Sequence, residues 1–107
     1  MDRITWLNAM RRDCEVKYNI RWAPFYRESA SLYPNPTHQA FIQAFLSHLP
    51  QASTLLDAAC GAGRYIPNLS EKGHTVIGID QAQGMLEVAR VRFPDVQFEK
   101  VGLQEMA

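Results

Sequence analysis

The sequence predicts an α/β fold: a parallel sheet with flanking helices, truncated after its third strand and preceded by N-terminal helices. Two observations carry this. Beyond Pro50, short apolar or β-branched runs alternate with helical runs, in the order strand, helix, strand, helix, strand. Such alternation implies parallel strands joined by right-handed crossovers. The second observation is a glycine-rich turn, CGAGRY (60–65), directly after the first apolar run. Together they describe a Rossmann-like sheet, in which ligands bind beyond the carboxyl ends of the strands.

The elements follow in order. Ile4, Leu7, Met10 and Cys14 recur every three to four residues and predict a helix over 3–18. WAPFYRESASLYPNP (22–36) reads as a short helix or turn followed by a loop. A helix over 37–49 is capped by Asn35 or Thr37 and closed by Pro50. Phe41, Phe45 and Leu49, with Ile42 and Leu46, give it a wide apolar face. TLLDA (54–58) is then a buried strand, and GRYIPNLSEK (63–72) a helix with Pro67 in or near its first turn. Gly73 stops that helix. HTVIGID (74–80) is the second strand. QGMLEVARVRF (83–93) is a helix with Met85, Leu86, Val88, Ala89 and Phe93 inward and Arg90 and Arg92 outward, ended by Pro94. VQFEKV (96–101) alternates as the third strand. Residues 1–50 thus form an N-terminal helical segment and 51–107 the first half of an α/β domain.

Composition narrows the function. The chain has 107 residues, enough for one domain with a modest core, and 47% are hydrophobic. Formal net charge is zero, so the basic footprint of a nucleic-acid binder is missing. Cys14 and Cys60 have no CxxC spacing and the histidines are scattered, which argues against a metal site or a disulfide framework. Two free thiols, a polar N-terminus and no long apolar run predict a cytoplasmic protein without membrane contact.

The glycine turn does not fit the phosphate-binding patterns. A P-loop needs GxxxxGK followed by serine or threonine, and none occurs. A dinucleotide turn needs a third glycine where Ile66 stands. Asp80 does lie 19 residues after Gly61, near the spacing at which an acid meets ribose hydroxyls. Asp57, ending the first strand, would be awkward beside a pyrophosphate and welcome beside an ammonium or sulfonium. Two strand-end acids around a glycine loop suit a ligand with an amino-acid tail and a ribose, which is S-adenosylmethionine. The alternative for both acids is a turn acid or helix cap.

LLDAACGAGRY (55–65), VIGID (76–80) and QAQGMLEVAR (81–90) together resemble the class I S-adenosylmethionine-dependent methyltransferases, over about residues 53–101. RWAPFY (21–26) looks like the tyrosine-bearing segment that often precedes their cofactor domain. The resemblance implies that Asp57, Ala59, Gly61 and Gly63 line the methionine part of the cofactor. It implies that Asp80 accepts from both ribose hydroxyls, that Met85 packs near the adenine, and that Gly102 and Leu103 border it. Ala59 departs from a common glycine, Ala82 from a frequent serine, and Leu103 from a frequent acid. The acceptor implied is a small molecule, and no catalytic residue is assignable.

Several residues admit a plainer role. Met85 suits the core as well as a cofactor. Cys60 reads as a small buried filler, the histidines as structural or surface groups, and Arg64 as either a carboxylate partner or a solvated helix start. Tyr18, Trp22, Phe25, Tyr26 and Tyr33 are read mainly as packing, with Tyr26 the best candidate for a cofactor contact. The rival functions are an NAD(P)-binding oxidoreductase half-domain and a non-catalytic S-adenosylmethionine-binding module. In the resembled sheet the first strand is central. Here it is expected to be a bare edge, so the sequence is read as part of a longer protein or, second, as self-associating through that edge.

Overall fold

The computed structural model describes residues 1–28 and 35–106. Tyr33 and the loop expected around it lie outside the described residues. Helix α1 (Arg3–Lys17) begins where the Asp2 carboxylate accepts from the Thr5 N–H at 2.9 Å. A π-helical turn (Tyr18–Trp22) leads into α2 (Ala23–Glu28). Helix α3 (Pro36–Ser47) starts at Asn35, whose side chain accepts from the N–H groups of Thr37 and His38. Of the two caps expected, Asn35 is used, since Pro36 has no N–H to satisfy and Thr37 lies inside the helix.

Three parallel strands follow, β1 (Thr54–Ala58), β2 (Thr75–Asp80) and β3 (Gln97–Lys100), in spatial order β1-β2-β3. Helix α4 (Ile66–Ser70) connects the first pair and α5 (Gln83–Arg92) the second. Register places Leu55 beside Val76, Asp57 beside Gly78, and Asp80 beside Lys100. The carboxyl ends of β1 and β2 therefore share one rim. β1 is an edge strand among the described residues, as its sequence position predicts, and half of Leu56 is exposed on it.

One apolar cluster joins Leu46 of α3, Ile66 and Leu69 of α4, and Leu86 and Ala89 of α5 to Leu55, Val76 and Phe98 of the sheet. A second joins Ala23, Ala62, Ala82, Met85 and Val88, with Tyr26 packed against it. His74 is buried, and its Nδ1 accepts from the Ser53 N–H at 3.0 Å, fixing the entrance to β1.

Two apolar faces stay largely uncovered, and one side-chain expectation changes. Ile4, Leu7 and Met10 keep their helical spacing but remain exposed, as no residue of α1 is buried. Phe41 and Phe45 are also exposed, since only one edge of the apolar face of α3 reaches the core. Arg92 does not point outward. It donates to the carbonyl of Tyr26 and ties α5 to α2, whereas Arg90 stays exposed and donates to the Phe98 carbonyl at 3.1 Å.

Gly78 shows how closely the sheet and its cover approach. A Cβ there would lie 2.6 Å from two ring carbons of Phe98 and 3.0 Å from the Cys60 Sγ. Gly78→Ala is expected to lose about 1–2 kcal/mol by overpacking, with a fall of about 5–10 °C in thermal midpoint by circular dichroism. An unchanged midpoint would mean that Phe98 has room to move.

Candidate functional site

The rim formed by β1 and β2 opens into a cleft of about 480 Å³. Asp57, Ala59, Cys60 and Gly61 line it from the first strand end and its loop, and Asp80, Gln81, Ala82 and Met85 from the second. Val101, Gly102, Leu103 and Gln104 close it past β3. From the N-terminal helices come Arg11, Cys14, Tyr18 and Tyr26.

The loop holds its shape through backbone geometry and Asp80. Ala59, Gly61 and Gly63 have φ of 59°, 57° and 85°. Two glycines fit that region without strain, while Ala59 tolerates it at some cost. The Cys60 N–H donates to the Ile79 carbonyl at 2.8 Å, joining the loop to β2. The Gly61 N–H donates to Asp80 Oδ2 at 2.8 Å, and the Ala82 N–H to Asp80 Oδ1 at 2.9 Å. Asp80 is thus both a lining carboxylate and the clamp of the loop. Each oxygen keeps acceptor capacity for a ligand hydroxyl.

Asp57 is different. Its Oδ2 is buried and has no hydrogen-bond partner among the described residues. Burial, then the nearby Asp80 charge, pushes its pKa up from 3.8 to about 6. A buried carboxylate oxygen without a donor calls for a cationic or N–H partner. Cys60 answers to the same surroundings. Burial, then Asp57 and Asp80, raises its thiol to about 12, so it stays protonated and serves as packing.

Six of the seven residues singled out in the sequence converge on the cleft: Asp57, Ala59, Gly61, Asp80, Met85 and Tyr26. Gly63 does not line it. It is buried, and a Cβ there would meet the Phe93 ring at 2.8 Å and Ile66 at 3.3 Å, so it serves helix packing. Met85 is both core and lining: it is buried, and its Cε would lie 3.4 Å from a Cβ at Gly61. Arg11, Cys14 and Tyr65 are lining residues that the sequence reading did not propose. The signal for the first two was present, since Arg11, Cys14 and Tyr18 fall on one helical face at i, i+3 and i+7. Tyr65 is joined to α3 by a hydrogen bond with His38 Nδ1, and the Arg64 guanidinium lies 5.4 Å from the centre of its ring.

A model of the methyltransferase domain family matches residues 55–107. A dTDP-3-amino-3,6-dideoxy-alpha-D-glucopyranose N,N-dimethyltransferase of Streptomyces fradiae is 44% identical over 48 residues, covering 45% of this chain and 19% of the relative. A ubiquinone biosynthesis O-methyltransferase of Paracidovorax citrulli is 33% identical over 93 residues, covering 81% of this chain and 38% of the relative. Among solved structures, magnesium protoporphyrin IX methyltransferase of Synechocystis with bound SAM aligns with a TM-score of 0.65 at 18% identity, over 90% of this chain and 56% of that one. At that identity the likeness is one of fold. The chain spans well under half the length of either curated relative.

Proposed function

Residues 55–107 belong to the methyltransferase domain family, and from that membership we propose that this chain is the cofactor-binding part of an S-adenosylmethionine-dependent methyltransferase acting on a small molecule. The observation that carries the reading is the buried, unpartnered Oδ2 of Asp57 at the end of β1. A cationic amino-acid tail supplies the donor that this oxygen lacks, whereas a pyrophosphate would set negative charge against it.

The residues present fit the cofactor. Asp57 would accept from its ammonium, and Asp80 from the ribose hydroxyls while still clamping the loop. Ala59 and Gly61 would let the backbone approach the methionine part. Met85, Gly102 and Leu103 would border the adenine, and Tyr26 would close the near side. When bound, the cofactor supplies a methyl group activated by a sulfonium. The chain's own part is to bind and orient it, which is where methyl-transfer enzymes gain much of their rate. Gly63 supports this indirectly, by packing the loop against α5.

Finer assignments extend the proposal. Residues 1–50 are taken as the helical segment and 51–107 as the first half of the α/β domain. The acceptor is taken to be a small molecule rather than nucleic acid, on the zero net charge. No helix of the described residues is long and apolar enough to cross a membrane. Two unpaired thiols, Cys14 exposed and Cys60 buried, suit a reducing cytoplasm. The outer edge of β1 is a surface for self-association.

Calorimetric titration with S-adenosylhomocysteine, with NAD in parallel, tests the reading. Saturable binding of the first and none of the second is expected. Binding of NAD alone would replace the reading by a nicotinamide one, and binding of neither would remove its support.

A further inference from the structure

α5 lacks a cap of its own. Its N-cap residue, Ala82, has the extended backbone of a cap, with φ of -91° and ψ of 106°, but no side chain that accepts a hydrogen bond. The first N–H groups of a helix have no partner within it, and a cap side chain ordinarily accepts from the second or third of them. In α5 the third belongs to Met85, which donates back to the Ala82 carbonyl at 3.1 Å. The second belongs to Gly84, and it donates to Asn19 Oδ1 at 2.7 Å. The cap thus comes from 65 residues away.

The surroundings suit this contact. A Cβ at Gly84 would lie 3.0 Å from both Asn19 Oδ1 and the Ala23 Cβ, so glycine keeps the approach open. Asn19 sits in the π-helical turn Tyr18–Trp22, and turns of that kind recur at functional sites. Ala23, just beyond, is almost fully buried with Ala82, Met85 and Val88. At the far end of α5, Arg92 donates to the Tyr26 carbonyl, so the same segment holds the helix at both ends.

The helix start that Asn19 caps is also a wall of the cleft. The Ala82 N–H donates to Asp80 Oδ1 at 2.9 Å, and Ala82 and Met85 both line the cleft. Asn19 does not itself line it, although its neighbour Tyr18 does.

We propose that Asn19 is a positioning residue for ligand binding: by capping α5 in trans it fixes the helix start that carries Ala82 and Met85, and through Ala82 the Asp80 carboxylate. The identity of the ligand rests on the S-adenosylmethionine reading; the cap does not. A plain packing role makes a different prediction. If Asn19 only ties the N-terminal segment to the fold, a new acceptor on α5 cannot replace it. If the cap is what counts, Ala82→Ser can replace it, because an N-cap hydroxyl accepts from the same N–H.

Amide hydrogen exchange by NMR and calorimetric titration with S-adenosylhomocysteine test this on the full chain, for wild type, N19A and N19A/A82S. In N19A the Gly84 amide is expected to exchange about fivefold faster, with the β2 amides unchanged, and the affinity to fall about fivefold. N19A/A82S should recover both to within about twofold of wild type. Wild-type affinity in N19A, failure of A82S to restore a lost affinity, or loss of protection across β2 in N19A would overturn the positioning role. An unchanged Gly84 amide would overturn the cap itself. If the wild-type chain binds no S-adenosylhomocysteine, the ligand reading falls, while Gly84 exchange that quickens in N19A and recovers in the double variant upholds the cap.

Discussion

Asp80→Asn is expected to weaken S-adenosylhomocysteine binding about a hundredfold and to destabilise the chain by about 2 kcal/mol. Both effects come from one geometry. Each carboxylate oxygen accepts a backbone N–H, Gly61 on one side and Ala82 on the other. An asparagine offers one oxygen and one NH2. Whichever way it turns, one loop N–H meets a donor instead of an acceptor. If Gly61 loses its partner, the loop with φ of 57° loses the bond that fixes it at the rim of the cleft. If Ala82 loses its partner, the start of α5 is freed, and with it Met85. On the proposed reading the ribose hydroxyls lose a charged acceptor in either case. Calorimetry gives the affinity and urea denaturation the stability. An affinity within about threefold of wild type would show that the ribose lies elsewhere.

Strand order, the glycine turn and the two acids were legible because each has a strong local signal. β-branched runs, a glycine pair and Gly73 act within a few residues. Asp57 and Asp80 then fall on one rim, because parallel strands put their carboxyl ends together. The departures all depend on distant neighbours. Gly63 looked like its partner Gly61, and only the Phe93 ring, thirty residues on, makes it a packing glycine. Arg92 occupies a helical position that would point to solvent, but α2 lies there and offers the Tyr26 carbonyl. The apolar spacing of α1 correctly predicts a helix and says nothing of what would cover it. Asp80 illustrates the opposite case. Its position pointed to a ligand or to a turn acid, and it does take the local turn bond from Ala82, while its reach to the Gly61 N–H of the first loop depends on backbone directions that no spacing encodes.

S-adenosylhomocysteine should bind about tenfold more weakly at pH 5 than at pH 7, and Asp57→Asn should abolish that dependence while weakening binding about thirtyfold at pH 7. The Asp57 carboxyl is raised to about 6 by burial first and the Asp80 charge second. At pH 5 most of the free chain therefore carries it protonated, and an ammonium then gains little from it. The ammonium itself keeps its proton over this range, so the dependence belongs to Asp57. The same shift acts on stability with a definite sign. A carboxyl whose folded value lies above its unfolded value of 3.8 binds more protons when folded. Its contribution is fully present below pH 3.8 and is lost as pH rises through about 6. Asp57→Asn should therefore leave the free chain more stable than wild type above pH 6, while binding the ligand worse. A variant that gains stability and loses affinity together is what a carboxylate held for a cationic ligand predicts. A structural acid would lose stability when removed. Thermal midpoints at pH 5 and pH 7.5, measured beside the titrations, separate the two, and a lower midpoint for Asp57→Asn at pH 7.5 would assign Asp57 to the fold rather than to the ligand.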